Sequence, residues 1–172
     1  MPNSAYLTDL SHLELITRLD YDPDTGIFKW KIVKSNLIKN RVGLEAGCIA
    51  RKPRTSYRVI CLNKTTFLAH RLAWFYVSGA WPAKEIDHIN GDGLDNRIIN
   101  LREANRAQNS RNRKTRVGYT TKGVSRSGRK WQATIRKSGK IYYLGLFANK
   151  KQAQAAYNEA AKKLYGEFAK EV

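Results

Sequence analysis

Residues 85–113 constrain this chain more than any other stretch. They open Glu-Ile-Asp-His-Ile-Asn-Gly-Asp-Gly-Leu-Asp-Asn-Arg and run on through Ile-Ile-Asn-Leu-Arg-Glu-Ala-Asn-Arg-Ala-Gln-Asn. Glu85 to Ile89 reads as a short strand that carries an acid and an imidazole side by side, at Asp87 and His88. The loop that follows is dense in Asn, Asp and Gly, which favour turns and tolerate left-handed backbone. Asn100-Leu101-Arg102 reads as a second short strand. From about Ala104 the composition turns helical, and Asn105, Asn109 and Asn112 recur at i, i+4 and i+7 on one face. A strand, loop, strand and helix of this size can bring Asp87, His88 and Asn109 to one point.

An Asp-His pair alone says little, because a lone histidine is usually structural. The asparagine stripe adds to it. A helix face meant only for packing should be apolar, since burying an unpaired amide costs roughly 1–3 kcal/mol. Amides on such a face imply a partner, either a cation or a hydrogen-bond network.

From about His70 to Arg113 the sequence resembles the HNH endonucleases, whose fold is the ββα-metal motif. The residues that carry the resemblance are Asp87-His88, Asn100, Asn109 and the upstream His70-Arg71-Leu72-Ala73-Trp74. The resemblance implies that Asp87 and Asn109 are metal ligands, His88 the general base and Asn100 a structural residue that steadies the loop. Many members carry His at the last position. Asn109 is similar to the H-N-N variant seen in phage and intron-encoded homing nucleases. His70 is expected to support the site rather than to act in it. One divalent cation is implied, Mg2+ before Mn2+.

The formal charge of the 172 residues is +18, from 32 basic and 14 acidic side chains. That excess points to a polyanionic partner. It is concentrated between Arg102 and Lys140, where 13 Lys or Arg face one acid, Glu103. A membrane surface is disfavoured, because no basic amphipathic helix or lipidation signal accompanies the charge. Cys48 and Cys61 stand alone with no C-x-x-C pair, which argues against a zinc ribbon and fits a reducing cytoplasm. No signal peptide and no apolar run of transmembrane length is expected.

Taken in order, Leu7, Leu10, Leu13, Ile16 and Leu19 predict an amphipathic helix over 7–19, capped by Thr8 or Asp9. Residues 21–26 form a turn and Ile27 to Trp30 a strand. Residues 33–50 are weakly patterned and read as a solvated loop. Tyr57 to Leu62 alternates as a strand, Asn63-Lys64 turns, and Thr65 to Ala69 returns. His70 to Val77 is a helix stopped at Ser78-Gly79. Residues 114–121 are basic and unperiodic, a linker expected to lie along phosphates.

A second module starts near Lys122. Trp131, Ala133 and Ile135 alternate with Lys130, Gln132, Thr134 and Arg136 on opposite strand faces. Ser138-Gly139 turns, Ile141 to Phe147 is the next strand, and Asn149 caps a helix to about Tyr165, ended by Gly166. Lys122-Gly123-Val124, Trp131 through Arg136, Tyr143 through Phe147 and Ala153 through Gly166 resemble the DNA-binding domain of plant ethylene-response factors, which phage HNH nucleases also carry. In that family a three-stranded antiparallel sheet enters the major groove. The first hairpin is one residue shorter here, and Tyr143 and Thr134 stand where that family has Trp and Glu.

The expected fold class is therefore α+β. A ββα-metal core at about 84–113 lies in an N-terminal region of residues 1–113. Residues 114–121 are a basic linker, and 122–172 form a small three-stranded antiparallel sheet packed on one helix. The expected function is a metal-dependent, site-specific DNA endonuclease of the homing type, in the cytoplasm of a phage-infected or bacterial host cell. Its partner is double-stranded DNA, read by Lys130, Gln132, Thr134 and Arg136. Lys114, Arg116, Arg126 and Arg129 are expected on phosphates, and Lys122 and Tyr143 are further DNA-binding candidates. Monomer and dimer stay open. The alternatives are a non-catalytic sequence-specific DNA-binding protein and an RNA-processing nuclease.

Overall fold

The computed structural model describes residues 10–31, 41–51, 56–112 and 121–169. The chain forms two compact units, Met1–Glu103 and Ala104–Val172. No helix among the described residues is long and apolar enough to cross a membrane.

In the first unit, helix α1 (His12–Arg18) starts at Ser11, whose hydroxyl accepts the Glu14 amide at 3.1 Å. This corrects the expected cap and start: Ser-x-x-Glu is the local start signal, and Thr8 and Asp9 lie outside the described residues. Leu19 is not the last helical residue but the first of strand β1 (Leu19–Asp22), where Leu19 and Tyr21 are buried and Asp20 and Asp22 exposed. The helical spacing of Leu19 concealed this two-residue alternation. Strand β1 pairs antiparallel with β2 (Ile27–Trp30).

A meander follows, with strands β3 (Cys48–Arg51), β4 (Ser56–Leu62) and β5 (Thr65–Leu68) in that order. Strand β3 lies where a loop was expected. Its residues are largely exposed, so it lacks the apolar alternation that marks a strand, and pairing with β4 holds it. The β4–β5 turn has positive φ at both Asn63 and Lys64, the geometry that matches the twist of a two-residue hairpin.

Helix α2 (Ala69–Ser78) buries Ala69, His70, Leu72, Ala73 and Phe75 and ends at left-handed Gly79. The core gathers Leu15, Leu19, Phe28, Ile60, Leu62 and Leu72, all fully buried. Strand β6 (Glu85–His88) pairs with β7 (Leu101–Ala104). Asn100, expected to begin the second strand, instead closes a 3₁₀ turn (Ile98–Asn100) before it. Its side chain is committed to the loop, which is why the strand starts one residue later.

In the second unit, α3 (Arg106–Asn112) begins with a reciprocal cap. The Asn105 amide donates to Gln108 Oε1 at 2.8 Å, and the Gln108 amide to Asn105 Oδ1 at 2.9 Å. Asn105 therefore caps the helix and is not part of a stripe along it. Strands β8 (Val124–Ser127), β9 (Lys130–Lys137) and β10 (Lys140–Phe147) form an antiparallel sheet with β9 in the middle. Helix α4 (Lys150–Tyr165), capped by Asn149, packs on it and buries Ala153 and Ala161.

Gly26 closes the β1–β2 turn with φ +73°, and a Cβ there would stand 2.4 Å from the Arg97 amide nitrogen. Gly79 has the same φ, with nothing within 4 Å of its Cβ position. Gly79→Ala should cost about 1–3 kcal/mol for left-handed backbone alone. Gly26→Ala should cost more, because backbone must also move. Urea denaturation of the two variants checks the order, and equal losses would refute the packing role of the β1–β2 turn.

Candidate active site

Alternation along β6 sends successive side chains to opposite faces, and both Asp87 and His88 are buried. Burying a carboxylate demands a partner. Arg102 on the paired strand β7 provides one. Its Nε and Nη2 both donate to Asp87 Oδ2, at 3.1 and 2.9 Å. The guanidinium fork fixes the orientation of the carboxylate.

His88 is held differently. Its Nε2 lies 3.3 Å from Asn96 Oδ1. The rings of His70 and Tyr57 pack against it, His70 edge-on with centroids 4.9 Å apart and Tyr57 at 6.1 Å. Burial pushes the basicity of His88 below the ordinary imidazole value, against the Asn96 hydrogen bond and the charges of Asp87, Asp92 and Asp95, which raise it. His70 is pushed further, to about 3, by burial and then by His88 and Arg71. Among the described residues its Nδ1 has no hydrogen-bond partner.

The loop between β6 and β7 is tied by its own polar side chains. Asn100 Oδ1 accepts the Asn90 amide at 3.0 Å. Asn100 Nδ2 donates to Asn90 Oδ1 at 3.1 Å and to the Asp95 carbonyl at 2.8 Å. Asp95 takes a two-pronged bond from Arg97 and a third from Asn90 Nδ2. The Arg97 bond is the main cause that lowers its carboxyl to about 2. Asn100 thus spans the loop, while the ring is met by Asn96, a residue given no role in the sequence reading. A fully buried Asn in an exposed-looking Asp-Asn-Arg run has no signature that sets it apart from its neighbours.

The first unit therefore brings together Asp87, His88, Asn100 and His70. Asn109 belongs to the second unit, on α3, where its amide donates to the Asn105 carbonyl at 2.9 Å.

Of the DNA-facing candidates, Lys114 and Arg116 lie outside the described residues. On β9, Lys130 and Arg136 are exposed and Gln132 and Thr134 half-buried, while Ala133 and Ile135 are buried. Register sets Ser125 and Leu146 opposite Gln132, Tyr143 opposite Thr134 and Ile141 opposite Arg136. Directly opposed residues share a face, so Tyr143 joins the Gln132–Thr134–Arg136 face. Arg126 is opposed to Trp131 and lies over its ring at 5.9 Å, which puts it with the other face. Arg129 is exposed in the β8–β9 turn, and Lys122 precedes β8.

Residues 67–111 match the family model of the HNH endonucleases. Over 85 residues the chain is 36% identical to a protein of Acanthamoeba polyphaga mimivirus described as an uncharacterized HNH endonuclease. The overlap covers 49% of this chain and 44% of that relative, so the chain spans less than half the relative's length. No solved structure matches the chain. An HNH endonuclease domain is thus present, running from Phe67 in β5 to Arg111 in α3. A carboxylate such as that of Asp87 is a donor type that suits a hard divalent cation, and in this structure its Oδ2 is paired with Arg102.

The buried histidines make stability depend on pH. In the unfolded chain His70 binds its proton near 6.5, and in the folded chain only near 3. Between those values the unfolded state holds more protons, so stability is complete above about 6.5 and is lost as pH falls toward 3. At about pH 4.5 the loss from His70 should be about 2–3 kcal/mol. Denaturant midpoints across this range should fall less steeply for His70→Leu than for the wild type. Parallel curves would show that His70 does not carry the effect.

Proposed function

We propose that this protein is a metal-dependent, site-specific DNA endonuclease of the homing type. The observation that carries this is the buried Asp87–His88 pair, held by Arg102 on one side and Asn96 on the other, in the segment that matches the HNH endonucleases. Burial keeps His88 neutral at pH 7, so it can take a proton from the attacking water. The water oxygen bonds to phosphorus, the P–O3′ bond breaks, and the leaving 3′ oxygen takes a proton from solvent, so the products are a 5′-phosphate and a 3′-hydroxyl. Asn100 holds the loop that carries the site. His70 supports the His88 ring from its edge. Asp87 and Asn109 would hold one divalent cation, Mg2+ before Mn2+, which when bound offsets charge on the scissile phosphate and the leaving oxygen.

The module at 122–172 is the reader in this proposal. Its sheet order and single packed helix support the resemblance to the ethylene-response-factor domain. Lys130, Gln132, Thr134, Arg136 and Tyr143 would enter the major groove, where Arg and Gln read guanine and adenine edges. Lys114, Arg116, Lys122, Arg126 and Arg129 would hold phosphates. One site per chain cuts one strand, so a double-strand break requires two copies. The H-N-N pattern supports action in the cytoplasm of a phage-infected or bacterial host cell.

The second reading, a non-catalytic DNA-binding protein, is favoured by one feature: Arg102 already neutralises the carboxylate that would bind the cation. Plasmid incubated with Mg2+ and with EDTA separates the two. Cleavage is expected with Mg2+ alone, and none under either condition would favour the binder.

His88→Ala should abolish cleavage and leave DNA affinity within a few-fold, because the imidazole acts on water. Near-wild-type cleavage by that variant would remove His88 from the mechanism. Arg136→Ala should relax base choice at one position by about 1–3 kcal/mol, read from cleavage of a randomised target. Lys122→Ala should weaken all sequences alike and reduce the salt dependence of binding. Indistinguishable profiles for these two variants would move the reading function off the sheet.

A further inference from the structure

The side chain of Asn96 is 1% exposed and makes two polar contacts of fixed sense. Its Nδ2 donates to the Leu94 carbonyl at 3.2 Å. A carbonyl only accepts, so this bond identifies the amide nitrogen and turns Oδ1 toward His88 Nε2. An amide oxygen also only accepts. His88 Nε2 must therefore carry a proton, and in the neutral ring the lone pair then belongs to Nδ1.

The backbone of Asn96 is held as firmly. The Tyr21 hydroxyl on β1 donates to the Asn96 carbonyl at 2.7 Å, in a buried bond. The Ile98 amide donates to the Pro23 carbonyl at 3.3 Å. Gly26 packs so closely that an added Cβ would reach Asn96 Cα at 3.0 Å. The β1–β2 hairpin, remote in sequence from the site, thus seats the residue that meets the imidazole.

We propose that Asn96 is a positioning residue for His88: it accepts from Nε2–H, sets the tautomer, and makes Nδ1 the atom that takes the proton from water. This rests on the reading of His88 as the general base. The residue orients and does not touch the reacting atoms.

The test is nitrogen-15 histidine labelling of the full chain, with long-range proton–nitrogen correlation at neutral pH. The chain has three histidines, and His88 is assigned by its loss in His88→Ala. The wild-type ring should show the proton on Nε2; a proton on Nδ1 overturns the proposal outright. Asn96→Leu, which cannot accept, should lose that preference and lower kcat by about 10²-fold with KM within a few-fold. Asn96→Asp keeps an acceptor oxygen beside Nε2 but loses the donor to the Leu94 carbonyl, so it should retain the Nε2–H signature with a kcat between those of the Leu variant and the wild type. Equal kcat for the Leu and Asp variants would also overturn the proposal. Unimpaired cleavage by His88→Ala would sink the nuclease mechanism instead, and the wild-type tautomer measurement separates the two failures.

Discussion

A buried amide without partners costs about 1–3 kcal/mol and a buried charge more. The first unit nevertheless buries Asp87, His88, Asn96, Asn100 and His70. Its architecture follows from satisfying all of them but His70, whose Nδ1 has no hydrogen-bond partner among the described residues. Arg102 must stand on the strand beside Asp87, which ties β7 to β6. Asn100 must face Asn90 and the Asp95 carbonyl, which closes the loop and delays the start of β7. Asn96 must find Leu94, His88 and Tyr21, which draws the β1–β2 hairpin onto the loop. Half-satisfied polar networks are worse than apolar cores, so these contacts depend on one another.

The apolar core has a supporting task. Helix α2 buries Leu72, Ala73 and Phe75 and, on the same helix, carries His70 to the edge of the His88 ring. Tyr21 packs on Phe28, with centroids 4.6 Å apart, while its hydroxyl serves the loop. Burial of the ring pushes that phenol well above its ordinary range, so it stays a donor at any working pH. Packing and polar chemistry therefore meet in the same side chains. In the second unit the two tasks are separated by alternation: Ala133 and Ile135 are buried, and Gln132, Thr134 and Arg136 face away from them.

Much of this was legible in the sequence because it is local. Asn63-Lys64 and Ser138-Gly139 are turn pairs, and both have positive φ in the structure. The Trp131–Arg136 alternation gave its faces correctly, and Asn149 and Gly166 bound α4 as expected. Errors arose where two periods compete or where pairing substitutes for pattern. Leu19 fits a helical stripe and a strand equally well. Strand β3 has no apolar signature of its own and exists by pairing with β4. Asn105 fell on a helical face by spacing, yet Gln108 three residues later makes it the cap.

The sequence by itself determined the element types of the second unit, the strand–loop–strand order at 85–104 and the placement of the polar residues Asp87, His88 and Asn100 along it. Each of these depends on side chains within a few positions of one another. Only the tertiary structure decided which groups hold them. Arg102 reaches Asp87 across a strand pair, His70 reaches His88 from a separate helix, and Asn96 is seated by Tyr21 from a hairpin about 75 positions earlier. Hydrogen bonds between buried groups are chosen by proximity in the packed state, and nothing in the residue type of Asn96 distinguishes it from its neighbours in an unfolded chain.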